Sequence, residues 1–171
     1  MTDTPPAAAS ADDSCQLNTG QANLDQADAG PLGTVDPEAV AARPEVAGEL
    51  ESRLAFTPEA LDLIDRLWAL HGPLMFHQSG GCCDGSAPMC YPVGEFKTGG
   101  QDVLLGTLEL PALPLAPAGA PPREIGFWMS REQFAVWAHT HLTVDVVPGR
   151  GSGFSLEVPE GKRFLIRSRL L

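Results

Sequence analysis

Apolar residues follow a helical period just after residue 57 and then change to strand-like patterns along much of the remaining chain. Thr57 is a favourable N-cap and Pro58 suits the first helical position, so a helix should begin here. The helical period continues to residue 70, and Gly72 followed by Pro73 ends it. These features predict a helix over residues 58–70.

A second, shorter helix is predicted where a capping-box pattern precedes apolar residues. Ser130 is followed three residues later by Gln133, a spacing that lets side chains and backbone cap one another. The helix should continue through Val136 and Trp137 to about Ala138.

The other apolar segments have the composition or alternation of strands. They cover residues 73–78, 102–110, 125–129, 142–147, 154–158 and 163–169. A proline- and alanine-rich stretch over 111–122 is typical of a surface loop, and the glycine-rich stretch 148–153 is typical of a turn. The predicted fold class is therefore α+β, with a mainly β domain, an N-terminal helix and one inserted helix.

The first 50 residues differ in composition from this pattern. They contain five prolines and no Phe, Trp or Tyr, and they carry −8 of the total formal charge of −11. Such a segment buries too little apolar surface to offset the entropy of ordering. We predict a disordered acidic tail over 1–50, in which a short helix near 37–42 or a partner-binding role is an alternative. A single globular domain is predicted over 51–171.

Charge and hydropathy argue against two classes of partner. Residues 51–171 carry a formal charge of only −3 without a basic patch, so nucleic acid is not an expected partner. No window approaches 18 consecutive apolar residues, so no membrane span is expected. The N-terminus has neither a basic region nor an apolar one of the secretory type, which favours a cytoplasmic location.

The sharpest chemical feature is a group of three cysteines in a glycine-rich segment. Cys82, Cys83 and Cys90 lie within nine residues of one another. Thiolates are ligands for zinc, copper(I) and iron–sulfur centres, and in a reducing cytosol clustered thiols indicate a metal or redox site. The alternative interpretation is that they are small buried hydrophobic residues.

Three histidines are candidate nitrogen ligands or acid–base groups. His77 lies shortly before the cysteine segment. On an extended strand, His139 and His141 would share one face with Thr143 and Asp145. For each histidine, a purely structural role is the alternative.

Charged residues elsewhere suggest further chemistry. Three arginines alternate along the last predicted strand and would line one face, where they could bind a carboxylate or phosphate: Arg163, Arg167 and Arg169. The alternative is a solvated face or ion pairs with Asp145, Glu157 or Glu160. Asp84 and Asp102 could act as acids or oxygen ligands, although Asp84 in an Asp-Gly pair is more typical of a turn. We find no Ser-His-Asp signature, no P-loop and no dinucleotide fingerprint.

The segment from His77 to Ser86, with Cys90, resembles a bacterial family of unknown function that is often encoded beside aldehyde dehydrogenases. Further matching runs are 102–106, Trp137, 139–146, 151–157 and 161–164, so the resemblance covers about residues 54–171. It implies one domain and a link to aldehyde or alcohol oxidation, with an aldehyde dehydrogenase as partner. It implies no particular reaction.

A more distant resemblance is to HesB-like A-type iron–sulfur carriers. These begin with a Thr-Pro-type helix, as at Thr57-Pro58, and carry a Gly-Gly-Cys-Ser-Gly loop similar to residues 80–85. Cys82 takes the place of their first cluster-binding cysteine. Their terminal Cys-Gly-Cys-Gly is replaced here by residues 167–169, Arg-Ser-Arg, so Cys83, Cys90 and a histidine would have to supply the missing ligands.

Together these features lead to three functional hypotheses. The first is a metal- or thiol-site accessory protein linked to aldehyde or alcohol oxidation. It would bind iron, zinc or an iron–sulfur species through Cys82, Cys83, Cys90, His77, His139 and His141. The others are a small thiol-dependent enzyme, and a non-catalytic partner of an aldehyde dehydrogenase.

Overall fold

Two β-sheets, each with one apolar face, pack against each other and against a helix, as alternating strands require. The structure is a computed structural model that describes residues 37–79, 87–151 and 153–171. All of these residues belong to one compact unit.

The described residues form mostly strands with two helices. In chain order the strands are β1 (Val40–Ala41), β2 (Arg43–Pro44), β3 (Leu54–Phe56), β4 (Leu74–Gln78), β5 (Met89–Pro92), β6 (Asp102–Leu110), β7 (Arg123–Ser130), β8 (Thr140–Pro148) and β9 (Lys162–Leu170). The helices are α1 (Pro58–His71) and α2 (Arg131–Trp137), and one turn of 3₁₀ helix spans Val158–Glu160. The predicted α+β class is confirmed at this level.

Both sheets are mixed. Among the described residues, sheet A has the strand order β1-β3-β8-β9, and sheet B has the order β2-β6-β7-β4-β5. The pairs β3–β8 and β4–β7 are parallel, and the other pairs are antiparallel. β4 therefore lies one strand away from β6, with β7 between them.

Four phenylalanines join the two sheets in the core. The ring centroid of Phe76 on β4 lies 4.9 Å from that of Phe164 on β9, and 5.9 Å from those of Phe56 on β3 and Phe127 on β7. All four side chains are fully buried. Alternation along β4 then places Phe76 toward the core and His77 on the outer face of sheet B.

Both helices begin where the capping signals predict. The backbone N–H of Ala60 donates to Thr57 Oγ1 at 3.2 Å, and the N–H of Gln133 donates to Ser130 Oγ at 3.2 Å. Helix α1 buries four side chains against the sheets: Ala60, Leu63, Ile64 and Leu67. It ends at Gly72, whose φ of 77° is readily adopted only by glycine. No described helix is long and apolar enough to cross a bilayer.

Part of the predicted tail contributes to the sheets. β1 pairs with β3 and β2 pairs with β6, and Ala42 between them is buried. Strand pairing thus begins before residue 51, and Val40–Ala41 is extended rather than helical. At Gly106, opposite Pro44, a Cβ would approach the carbonyl oxygen of Arg43 to 2.9 Å, so this close crossing requires glycine. Composition alone does not reveal such pairing.

The strand predicted over 154–158 is wrong, because the described residues there form turns that lead into the 3₁₀ helix. Ser155 Oγ accepts a hydrogen bond from the N–H of Cys90 at 2.8 Å and donates one to the buried carboxylate of Glu157. One distant contact and one local contact replace a strand ladder, and Pro159 has no N–H to donate. β3 and β5, which are only three and four residues long, were not predicted from the sequence.

Candidate functional site

His77 lies on the outer face of sheet B, at the point where β4 leads toward the cysteine segment. Its side chain is only 3% exposed, because the ring of Phe96 stacks on it with 4.1 Å between the centroids. Tyr91 extends this aromatic layer, 5.1 Å from Phe96. Water therefore has little access to the imidazole except at its hydrogen-bonded edges.

Both ring nitrogens of His77 have partners. Nε2 lies 2.9 Å from Asp102 Oδ1, and Nδ1 lies 3.0 Å from the hydroxyl of Ser79. Asp102 Oδ2 also accepts from the backbone N–H of Gly99 at 2.7 Å. The hydrogen bond from His77, followed by that from Gly99, lowers the pKa of the Asp102 carboxyl below its ordinary value.

These contacts define the roles of the hydrogen atoms. Asp102 is ionised near neutral pH and can only accept, so Nε2 of His77 carries the donated proton. In the neutral imidazole Nδ1 is then the acceptor, and the hydroxyl of Ser79, an exposed residue, would donate to it. The result is a carboxylate–imidazole–hydroxyl chain whose hydroxyl end faces solvent.

The sheet order brings His77 and Asp102 together although 25 residues separate them. Trp128 on β7 pairs with His77 on one side and with Leu104 on the other, so all three lie on the outer face with Asp102. The Trp128 indole folds over Gly126, where a Cβ would lie 3.0 Å from its Nε1. This leaves room for His77 to reach Asp102 across β7.

The sequence has no Ser-His-Asp signature, yet the fold brings residues of these three types into contact. Ser79, His77 and Asp102 form one hydrogen-bonded chain, although His77 uses Nδ1 for the hydroxyl and Nε2 for the carboxylate. The spacing of His77 and Ser79 is a signal for a shared strand face. Asp102 could not be assigned to the same group, because that assignment depends on the order β6-β7-β4.

Cys90 lies on the opposite face of sheet B. It pairs with Phe76 in the core and is fully buried, whereas its neighbour Met89 is the residue opposite His77. Burial, and then the charge of Glu157, raise the pKa of the Cys90 thiol well above its ordinary value. This position favours the alternative interpretation of Cys90 as a buried, uncharged thiol rather than a thiolate ligand.

The two remaining histidines are separated from His77 by the core. His141 lies on the outer face of sheet A, and His139 precedes β8 and is exposed. Thr143 and Asp145 share the face of His141 as predicted, and the buried Leu142 and Val144 lie on the other face. His139 was predicted on the same face as His141, but it lies in the turn before β8. His77 and His141 point away from opposite sides of the sandwich, so they cannot bind one ion together.

The described residues contain no group of three or more His, Cys, Asp or Glu side chains arranged to hold a metal. Cys82, Cys83 and Asp84 lie outside the described residues. The predicted metal site at these residues therefore stays a prediction. The structure does show that Cys90, His77, His139 and His141 do not come together around one point.

The surroundings of His141 are rich in arginine. Arg169 lies directly opposite on β9, and the backbone of Arg53 pairs with Leu142 through a hydrogen bond of 2.7 Å. Burial, followed by the charges of Arg169 and Arg53, lowers the pKa of His141 below its ordinary value. Nδ1 of His141 is buried and has no hydrogen-bond partner in the described part of the chain.

The predicted ion pairs along β9 are confirmed only for Arg167. Its Nε donates to Asp145 Oδ2 at 2.7 Å, and Asp145 Oδ1 accepts from Thr57 Oγ1 at 3.0 Å. Asp145 therefore ties the start of α1 to sheet A, a structural role. The other two acids considered have different partners, since Glu160 pairs with Arg66 at 3.6 Å and Glu157 bonds to Ser155.

A model of a protein family described as a domain of unknown function, DUF779, matches residues 63–170. This chain belongs to the DUF779 family. The matched part of the DUF779 protein runs from within α1 to the end of β9 and includes His77, Asp102, His141 and Arg169. No curated protein and no solved structure matches the DUF779 chain.

Proposed function

We propose that this protein carries a reactive thiol site for aldehydes and acts as an accessory to aldehyde or alcohol oxidation. The observation that supports the proposal is the position of His77. Asp102 is hydrogen-bonded to one of its nitrogens, and Ser79 is hydrogen-bonded to the other, where the chain leads toward the cysteine segment. A histidine oriented by a carboxylate is the usual base for activating a nucleophile.

His77 is suited to take a proton through Nδ1. The carboxylate of Asp102 holds the imidazole in the tautomer that leaves Nδ1 free to accept, and would stabilise the imidazolium that forms. The stacked Phe96 keeps the ring in place and limits competing water. In the described structure Ser79 is the hydrogen-bond partner of Nδ1. A thiol in the same position would lose its proton more readily than this hydroxyl, since the ordinary pKa of a thiol is about 8.5.

The proposed nucleophile is Cys82 or Cys83, which follow Ser79 by three and four residues in the sequence. The thiol proton would pass to Nδ1 of His77. The sulfur would then add to the aldehyde carbon, so that a C–S bond forms while the carbonyl π bond breaks. His77 would return the proton to the oxygen, giving a hemithioacetal without any oxidation. Oxidation of that adduct would fall to a partner, for which an aldehyde dehydrogenase is the proposed candidate.

The test is the alkylation rate of each cysteine, measured with iodoacetamide at pH 7 and located by peptide mass spectrometry. Free thiols are only a few per cent ionised at this pH. If His77 accepts the thiol proton, we expect Cys82 or Cys83 to be alkylated about tenfold faster than N-acetylcysteine. His77→Gln should remove this advantage, because glutamine cannot accept the proton. Asp102→Asn should remove part of this rate advantage, because an amide does not hold the imidazole in the tautomer with Nε2 protonated and does not stabilise the imidazolium.

Two controls sharpen this test. His71→Gln makes the same substitution at an exposed histidine at the end of α1 and should leave every rate unchanged. Above about pH 9.5 the wild type and His77→Gln should react alike, because any thiol is then ionised without a base. Equal rates for wild type and His77→Gln at pH 7 would contradict the proposed role of His77.

The metal hypothesis uses the same cysteines and is distinguished by elemental analysis. Untagged protein, purified without oxygen, would be compared with a Cys82→Ser variant for iron, zinc and sulfide. Under the thiol proposal we expect negligible and equal metal in both proteins. Metal near one equivalent that is lost in the variant would instead support a metal or iron–sulfur accessory.

Two further expectations accompany the proposal. A cytoplasmic location would keep the thiols reduced, as the chemistry requires. A fold related to the HesB-like carriers is proposed from the sequence resemblance, with the thiol site in the position of their first cluster ligand.

A further inference from the structure

We propose that the outer face of sheet A binds a small monocarboxylate between Arg169 and His141. This site lies across the core from His77, so it is independent of the proposed thiol chemistry.

Two buried polar atoms on this face lack partners. Nε of Arg169 and Nδ1 of His141 are both shielded from solvent, and neither makes a hydrogen bond in the described part of the chain. The two residues are directly opposite on β9 and β8, so their side chains lie side by side on one face. His141 is only 7% exposed. Unsatisfied buried polar groups are costly, and one polar ligand could provide a hydrogen-bond partner for both of these atoms.

The charges around these atoms indicate the sign of that ligand. Arg53 is satisfied by Glu49, which accepts from its Nε at 2.7 Å and from its Nη2, and by the carbonyl of Ala138 at 2.7 Å. Arg167 is satisfied by Asp145. Arg169 has no acidic partner among the described residues, and its Nη1 meets only the carbonyl of Leu170, at 3.5 Å. At the end of the face beside His141, the guanidinium of Arg169 therefore carries a positive charge that no described acidic side chain compensates.

The positive charge of Arg169, with its Nε beside Nδ1 of His141, is complementary to the single negative charge and two oxygens of a carboxylate. The guanidinium N–H and an imidazole N–H can each donate to one of two carboxylate oxygens, an arrangement typical of arginine sites. A phosphate monoester carries nearly two charges at pH 7 and would leave one of them uncompensated here. Arg169 is half-buried rather than sealed, so a small ligand can reach it from solvent.

The experiment is a titration of the full chain with sodium acetate, followed by amide chemical shifts in NMR spectra. Sodium chloride at equal ionic strength gives the baseline, and sodium phosphate tests the other anion class. We expect localised shifts around residues 141 and 169, with a Kd on the order of 1–10 mM for so small a ligand.

Arg169→Gln should weaken acetate binding about tenfold or more, since it removes a charge-assisted hydrogen bond. The matched control is Arg163→Gln, which removes an exposed arginine from the same face of the same strand and should leave the Kd unchanged. Dispersion of the spectra shows whether each variant is folded. If Arg169→Gln does not fold, Arg169→Lys keeps the charge but loses the Nε–H, and should still bind acetate more weakly.

Three results would overturn the proposal. These are shifts no larger than with chloride, an unchanged Kd in the folded Arg169 variant, and tighter binding of phosphate than of acetate. None of them bears on the alkylation of Cys82 or Cys83, so the two proposals fail separately.

Discussion

Phe76→Ala is expected to lower the free energy of unfolding by about 3–5 kcal/mol, the usual cost of removing a buried phenylalanine ring. The ring of Phe76 contacts three other phenylalanine rings, which come from both sheets. The nearest is that of Phe164, with 4.9 Å between the centroids. Alanine would leave a cavity in the middle of the interface that joins sheet A to sheet B. The backbone pairing of β4 with β5 and β7 limits how far that cavity can collapse.

The measurement is urea denaturation followed by tryptophan fluorescence. Phe154→Ala is the control, because Phe154 is 92% exposed and its loss should change stability by no more than about 0.5 kcal/mol. If Phe76→Ala is unfolded in the absence of urea, Phe76→Leu should still give a loss of about 1–1.5 kcal/mol. Similar stabilities for the Phe76 and Phe154 variants would contradict the position of Phe76 in the core.

The thiol of Cys90 is expected to react at least about 10³-fold more slowly than a free thiol in the native protein. It is fully buried beside Phe76, so the reagent cannot reach it unless the protein unfolds. Burial also raises the pKa of the thiol, so the reactive thiolate is scarce in the folded state. Its labelling should therefore report the unfolded population. A domain stable by 5 kcal/mol or more would have an unfolded fraction below about 10⁻³.

Iodoacetamide labelling with peptide mass spectrometry measures this protection, and unfolding in urea should abolish it. Phe76→Ala provides a second check, because a loss of about 3–5 kcal/mol multiplies the unfolded population by roughly 10²–10³ or more. Labelling of Cys90 should accelerate by a similar factor. Rapid labelling of Cys90 in folded wild-type protein would show that the thiol is accessible. Cys90 would then again be a candidate metal ligand or nucleophile.

The two candidate sites depend on opposite outer faces of the sandwich. His77 and Asp102 use sheet B, whereas His141 and Arg169 use sheet A, and the phenylalanine core lies between them. A ligand at one face has no direct contact with the other. Variants of one site are therefore useful folding controls for the other.

Local signals in the sequence predicted both helices well. Thr57 and Ser130 cap their helices through hydrogen bonds that span only three residues, so the sequence contains all the information that these ends require. The strand face shared by His141, Thr143 and Asp145 was equally predictable, because side-chain alternation depends on neighbours alone. The long strands β6, β7, β8 and β9 were recognised for the same reason.

Errors arose where a segment depends on distant partners. β1 and β2 look like part of a polar tail, and become strands through pairing with β3 and β6. Residues 154–158 look like a strand, but Ser155 binds the backbone of Cys90, 65 residues away, and the segment turns instead. The sequence shows neither partner.

By itself, the sequence determined the α+β class, the two helices and the individual residues with chemical potential, since these follow from composition, capping and alternation. Only the tertiary structure decided which of those residues meet. His77 joins Asp102 because β7 lies between their strands, and it is separated from Cys90 because the register of β5 places Met89 opposite it. Strand order and register depend on the packing of the whole core, and a local sequence pattern does not predict that packing.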